Sequence, residues 1–279
     1  AKSADDVTLE KGNSYQYTLN LSDISTYMTI GSFSVTPWGS KTVVSLELDK
    51  YDPWKNIANG VYAVSAEGKP VDVANADATA TGVALVVGEH KFMIAKKDAT
   101  DGTNNTLYWG YNLYGKDVAG VVTNGTVDGT NSVGYLPKPD GTFEGTPNLS
   151  SDFATWTVGA FAEFNGKANT AAILNGYTEH GVSMDARDMC TVLNTFNASD
   201  SHNDWNVPAC GQLALMYLNM TEINAALAKI GGTALASDRY LSSSEKNYSY
   251  EWYVSFYNGK VESISKGDYT NRVRFIRDI

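Results

Sequence analysis

Two cysteines, Cys190 and Cys210, are all that the 279 residues contain. Two cannot build a disulfide scaffold, and their spacing is not that of a zinc site. They make either one bridge or two buried thiols. Charge is sparse too: Asp, Glu, Lys and Arg make up 19% of the chain, and no run of Lys or Arg forms a basic stripe. With a formal net charge of -10, nucleic acid and anionic membranes are both disfavoured as partners. No apolar run approaches the ~20 residues that span a bilayer. The GxSxG, P-loop, HExxH and GxGxxG patterns are all missing, so no familiar catalytic signature is present. The three histidines, His90, His180 and His202, are scattered. His90 is expected in a solvated hairpin turn and His180 as a structural contact beside a helix start.

What the chain does have is Gly, Asn, Thr, Ser and Tyr, with 43% hydrophobic residues. That mix suits strands joined by turns, and the length allows one large domain or two small ones. It opens "AKSADD", without an initiator Met, and reads as a mature or trimmed product. Residues 5–48 alternate with period two; in "NSYQYTLNL", Tyr15, Tyr17, Leu19 and Leu21 share one face. "DKYDPWKN" (49–56) breaks the pattern and predicts a boundary, giving a β segment over 1–50 and a second domain over 51–279. Strands are expected at 60–65, 82–87 and 91–95, the last two joined by Gly88-Glu89-His90. The stretch from Asp98 to about Asp152 reads as irregular, functional or inserted loops.

Helices are expected at 167–177, at 184–196 with Ser183 as its cap, and over 211–230, ended by Gly231-Gly232. Strands return at 239–243, 250–257, 260–264 and 272–277. Strands, then helices, then strands is an α+β order.

The C-terminal residues carry a resemblance. Trp205, Pro208, Leu213, Tyr217, Asn219, Gly231-Gly232, Ser242 to Glu245, Trp252, and the closing Arg272 and Arg274 fall in a recurring order. That order resembles the C-type-lectin-fold module of Bacteroidetes surface proteins, in its formylglycine-generating-enzyme-like branch. The match is tight over 200–279 and looser back to about residue 57. The first 48 residues resemble the closing strands of a fimbrillin-type domain. Together they imply a pilus-tip or lipoprotein-anchored adhesin on the outer membrane of a Gram-negative bacterium, outside the cell.

Proteins of this kind are often targets of diversity-generating retroelements, which rewrite adenine-containing codons near the end of a gene. The resemblance therefore implies a variable region over about 239–271. In "EWYVSFYNG", Trp252, Val254 and Phe256 alternate with Glu251, Tyr253, Ser255 and Tyr257, and the second set is expected to face outward. Tyr offers large amphipathic contacts at low entropy cost, with Ser and Asn as adaptable partners. The expected ligand contacts are Arg239, Leu241, Lys246, Asn247, Tyr248, Tyr250, Tyr253 and Tyr257, continuing with Asn258, Lys260, Glu262, Ser263, Ser265, Asp268, Tyr269 and Asn271. Trp252, Val254, Phe256, Val273 and Phe275 are expected frame residues. Leu241 stands where the family pattern has an aromatic.

The expected role is a non-enzymatic adhesin that binds a protein or glycan receptor on another cell or host surface. Pilus subunits are further partners. No cofactor is implied. Asp200, His202, Asn203 and Asp204 offer close oxygens for Ca2+, but a polar loop with Asx turns is favoured there. The Glu-Pro-Asn and Trp-Asn-Asp motifs of calcium-dependent sugar-binding lectins are absent, so the fold alone does not imply a sugar. The rival readings are a formylglycine-generating-type enzyme and a phage tail receptor binder. The enzyme would need a reactive cysteine pair near the closing strands, and neither cysteine lies in the last 60 residues.

Overall fold

A computed structural model describes residues 28–30, 48–50, 52–118, 134–138, 152, 159–267 and 270–279. Most of the expected strands over 5–48, and Asp268 and Tyr269, lie outside the described residues. The chain divides into two compact units, residues 1–55 and 56–279. In the first, β1 (Met28–Ile30) pairs antiparallel with β2 (Leu48–Lys50).

The second unit is α+β. One sheet holds β3 (Gly60–Val64), β4 (Pro70–Asp72), β5 (Gly82–Val87), β6 (His90–Ile94) and the last strand of the chain, β11 (Ile276–Asp278), in the order β11-β6-β5-β3-β4. All its pairings are antiparallel. β5 and β6 are the expected hairpin. Its turn is Gly88-Glu89, with Gly88 at φ 60°, where a side chain would be strained. His90 belongs to β6 and stacks on Phe164 at 3.7 Å, so the solvated turn expected for it is corrected.

Among the described residues four α-helices follow: α1 (Gly166–Glu179), α2 (Met189–Ser199), α3 (Cys210–Leu218) and α4 (Met220–Lys229). α2 starts five residues later than its sequence suggests, because Asp188 and not Ser183 takes the N-cap position. The Asp188 carboxylate instead accepts from Tyr111 N–H and Tyr177 O–H, each at 2.8 Å, and so holds 184–188 as a turn. The single helical stretch expected over 211–230 is two helices. They break at Asn219, whose Nδ2 donates back to the Leu215 carbonyl at 2.8 Å. Residues 210–217 of α3 are all buried. The helix packs on the second sheet, while α4 packs on β3 and β5.

The second sheet has the order β7-β10-β9-β8, from β7 (Gly134–Tyr135), β8 (Arg239–Asn247), β9 (Tyr250–Ser255) and β10 (Lys260–Ser265). In β8 the register against β9 shifts between Leu241 and Glu245, where three buried serines sit. The hydroxyls of Ser242 and Ser244 serve backbone groups there, while Ser243 Oγ has no partner among the described residues. Ser242 Oγ donates to Trp252 O at 2.7 Å, and Ser244 Oγ accepts the first N–H of α3, from Cys210, at 3.0 Å. One core cluster joins both sheets through α3 and α4, with Leu85, Phe92, Leu213, Tyr217, Trp252 and Phe256 among its members.

The closing segment stitches the two sheets. Strand pairing there begins only at Ile276, later than expected. Before it, Ala95 and Ala99 donate to Phe275 and Val273 on one side, and Leu241 donates to Arg272 on the other. Arg274 has no exposed side chain, yet its Nε reaches Asp98 at 2.7 Å. Its Nη1 and Nη2 reach Ala95 O and Thr233 O, each at 3.0 Å. Arg272 and the Tyr240 hydroxyl, both at 3.1 Å, complete the ring around Asp98.

Removing one partner of such a pair strands a buried charge. Arg274→Ala is expected to lose about 3–5 kcal/mol in chemical denaturation, and Trp252→Ala a similar ~3–5 kcal/mol from the cavity it leaves. An unchanged denaturation midpoint in either variant contradicts these assignments.

Candidate functional site

β9 alternates as its sequence suggests, with Trp252, Val254 and Phe256 in the core. The opposite face, however, is not open. Glu251, Tyr253 and Ser255 are all buried, and only Tyr257, beyond the strand, is exposed, at 65%. The outward placement expected for the first three is therefore corrected. Part of the cover is the segment 107–118, which runs along β8: Trp109 Nε1 donates to Ser242 O at 3.0 Å and Gly115 N–H to Tyr248 O at 2.8 Å.

Under that cover lie three ionisable groups. Lys266 Nζ hydrogen-bonds directly to Glu245 and sits over the Trp109 ring at 4.6 Å. Burial pushes the Glu245 carboxyl up and the Lys266 ammonium down, and each partly restores the other. Glu251 lies opposite Glu245 in the ladder, fully buried, with neither carboxylate oxygen hydrogen-bonded. One ammonium can neutralise only one carboxylate. Burial therefore holds the Glu251 carboxyl well above its usual range.

At the other end of the sheet, β8, β9, β10 and the turn after β9 frame an open cleft of about 590 Å3. Seven expected contacts line it: Arg239, Tyr253, Tyr257, Asn258, Lys260, Glu262 and Asn271. Gly259 sets the turn. Its φ is 72°, and a Cβ there would meet the Leu136 carbonyl oxygen at 2.5 Å. Tyr253 lines the cleft although it is nearly buried. The Arg239 guanidinium covers its ring at 5.3 Å, and its hydroxyl donates to Glu262 Oε2 at 2.7 Å. Lys260 Nζ reaches the same oxygen at 2.7 Å. Burial alone would raise the Glu262 carboxyl, but hydrogen bonds from Lys260 and Tyr253 hold it below its usual value. Burial, then the Glu262 carboxylate, raises the Tyr253 phenol.

The remaining expected contacts separate from this cleft. Lys246 Nζ donates to Ser263 Oγ at 2.9 Å and covers the Trp252 ring. Asn247 builds the β8–β9 turn, accepting from Ser249 and Tyr250 N–H. Tyr248 and Tyr250 are exposed at that turn. Leu241 and Ser265 are interior, and Asn271, though at the cleft, is only 6% exposed; none of the three is the exposed contact expected of it. Asn271 is held by a two-way backbone pairing with Leu107. Two exposed tyrosines were missed, Tyr111 and Tyr114, which the Gly115–Tyr248 bond brings close to the β8–β9 turn. Their signal was local: "YNLYG" places tyrosines next to a glycine turn, far in sequence from the expected region.

Neither cysteine is poised for chemistry. Both are free and fully buried, and burial pushes both thiols up. In the loop before Trp205, Asp200 Oδ1 accepts His202 N–H at 2.7 Å, and Asp204 pairs with Arg277 at 2.9 Å. Among the described residues no group of His, Cys, Asp and Glu side chains could hold a metal ion. His180 Nε2 contacts Asp117 O at 2.7 Å. No described helix is long and apolar enough to cross a membrane.

No family model and no curated protein matches the chain. A solved structure of a fimbrial protein from Bacteroides ovatus aligns over 80% of this chain at 14% identity, with a TM-score of 0.48. The alignment spans 49% of that protein, about half its length.

The unfolded Glu251 carboxyl ionises near 4.5 and the folded one only at higher pH, so ionisation opposes folding as pH rises above that value. In Glu251→Gln, the melting temperature is expected to exceed the parent's at neutral pH, by a margin that widens as pH rises and closes below about 4.5. Parallel melting curves for both proteins across pH contradict an upward shift of the Glu251 carboxyl.

Proposed function

We propose that this chain is a non-enzymatic receptor-binding module of the cell surface or a pilus. Its C-terminal unit uses a frame of C-type-lectin type to present a polar, tyrosine-bearing contact face. The observation that carries this reading is the cleft. Seven expected contacts converge on it, while the groups that hold the fold together, such as Arg274, Asp98 and Trp252, lie elsewhere. The partition suits a surface whose side chains change while its frame does not. Tyr111, Tyr114, Tyr248 and Tyr250 add exposed aromatic area on the same unit. The two buried, neutral thiols fit a binding role better than cysteine-dependent catalysis.

In this reading, diversification of the coding sequence falls on the cleft. Sequencing the end of the gene across isolates is expected to place substitutions at codons for Arg239, Tyr257, Asn258 and Lys260. Arg274 and Trp252 should stay unchanged, and a near-copy template should lie beside a reverse transcriptase gene. The protein-level test is retention on a panel of receptor-bearing cells. The double variant Tyr257→Ala, Lys260→Ala is expected to lose roughly tenfold or more in binding, as contacts at an interface centre do, with no change in melting temperature. Full retention by that variant contradicts a contact role for the cleft.

A further inference from the structure

The cleft has an imbalance of unused donors. Its two carboxylates are engaged within the chain: Asp238 accepts Arg239 N–H at 2.8 Å and Arg272 Nε at 3.0 Å, and Glu262 Oε2 takes Tyr253 and Lys260. Arg239 differs. Its guanidinium lies over the Tyr253 ring and has no hydrogen-bond or ion-pair partner among the described residues. A guanidinium that covers a ring without a hydrogen-bond partner keeps its N–H groups for a ligand, and they form a planar fork that matches a carboxylate. Beside it, fixed by the Arg272 N–H bond to Arg239 O at 3.0 Å, stands Asn271, whose buried Nδ2 also lacks a partner. That amide nitrogen is closed to solvent, so an acceptor brought to this wall would meet the Arg239 edge.

Charge narrows the choice of acceptor. Arg239 and Lys260 balance Asp238 and Glu262, and the whole chain carries -10, so a phosphate dianion meets no excess of positive charge. A single carboxylate needs only the one free fork. The rest of the lining narrows the scaffold. Ser237, Ser255 and Asn258 are small polar groups, and the second oxygen of Glu262 has no partner among the described residues. Apolar contact comes from tyrosine rings, chiefly the exposed Tyr257. A ligand that suits this lining presents hydroxyls around its rim and one flat apolar face, as a sugar ring does. The volume lies within the range usual for small-molecule sites, ~300–1,000 Å3.

We propose that the cleft binds a carboxylate-bearing sugar, with Arg239 gripping the carboxylate and Tyr257 under the ring. The proposal rests on the reading of the cleft as the contact face. Its test is an NMR titration of the full chain with sodium glucuronate, with glucose as the neutral counterpart and an N-acetylated Glu-Glu dipeptide as the non-sugar carboxylate. Glucuronate is expected to shift the Arg239 Nε–H signal and to bind at least tenfold more tightly than either comparison ligand. Arg239→Gln, on an exposed side chain, is expected to reduce glucuronate to the level of glucose without changing the melting temperature.

Equal binding of glucose and glucuronate overturns the proposal, as does undiminished binding in Arg239→Gln. Preference for the dipeptide overturns the sugar and leaves the carboxylate grip. If glucuronate fails while Tyr257→Ala, Lys260→Ala still weakens cell binding, only the ligand class falls. If neither has an effect, the contact role of the cleft falls too.

Discussion

A guanidinium with no solvent contact persists only if protein oxygens replace its water, and that constraint organises the C-terminal unit. Arg274 meets it with Asp98 and with the carbonyls of Ala95, Thr233 and Ala234. Those oxygens come from the loop after β6 and from the segment between α4 and β8. The closing strand can therefore dock only when both are in place. A buried ion pair is a weak source of net stability, but a demanding one for geometry. Here it fixes where the last segment crosses from one sheet to the other, and Arg272 and Tyr240 reinforce the same carboxylate.

Placing that constraint inside the frame leaves Arg239, Tyr257 and Lys260 outside the Arg274–Asp98 ion pair. Arg239, Tyr257 and Lys260 stand on the β8 edge and around the Gly259 turn; Arg239 also covers the Tyr253 ring and Lys260 pairs with Glu262. Tyr253 and Glu262 are intermediate. They order each other and Lys260, and they also preorganise the cleft wall. The buried trio of Glu245, Lys266 and Glu251 stands apart from the cleft, at the end of the sheet beside the 107–118 segment.

Much of the fold was legible because local patterns agreed with tertiary ones. "GVALVVGEHKFMI" has the period, turn and length of a buried hairpin, and it is one. The strand alternation of "EWYVSF" was equally readable. Its cover was not, since nothing in that stretch shows that 107–118 returns across β8 to bury Glu251 and its neighbours. The α2 start was misplaced for a similar reason. Ser183 is a good local cap, but Asp188 is drawn into place by Tyr111 and Tyr177, one distant in sequence. At the cleft, seven of the residues expected from the resemblance lie together on β8, β9, β10 and the neighbouring turns. Leu241, Ser265 and Asn271 were misassigned because type and position alone carry no record of the element packed over them.

The central claim is that frame and contact face are energetically separate. A saturation library over residues 237–275, sorted for folded, protease-resistant protein, measures this position by position. The account predicts broad tolerance at Arg239, Tyr257, Asn258 and Lys260, beside near-intolerance at Trp252, Phe256 and Arg274. If the cleft positions are as restrictive as Arg274, they are part of the scaffold, and the separation on which the binding role depends is contradicted.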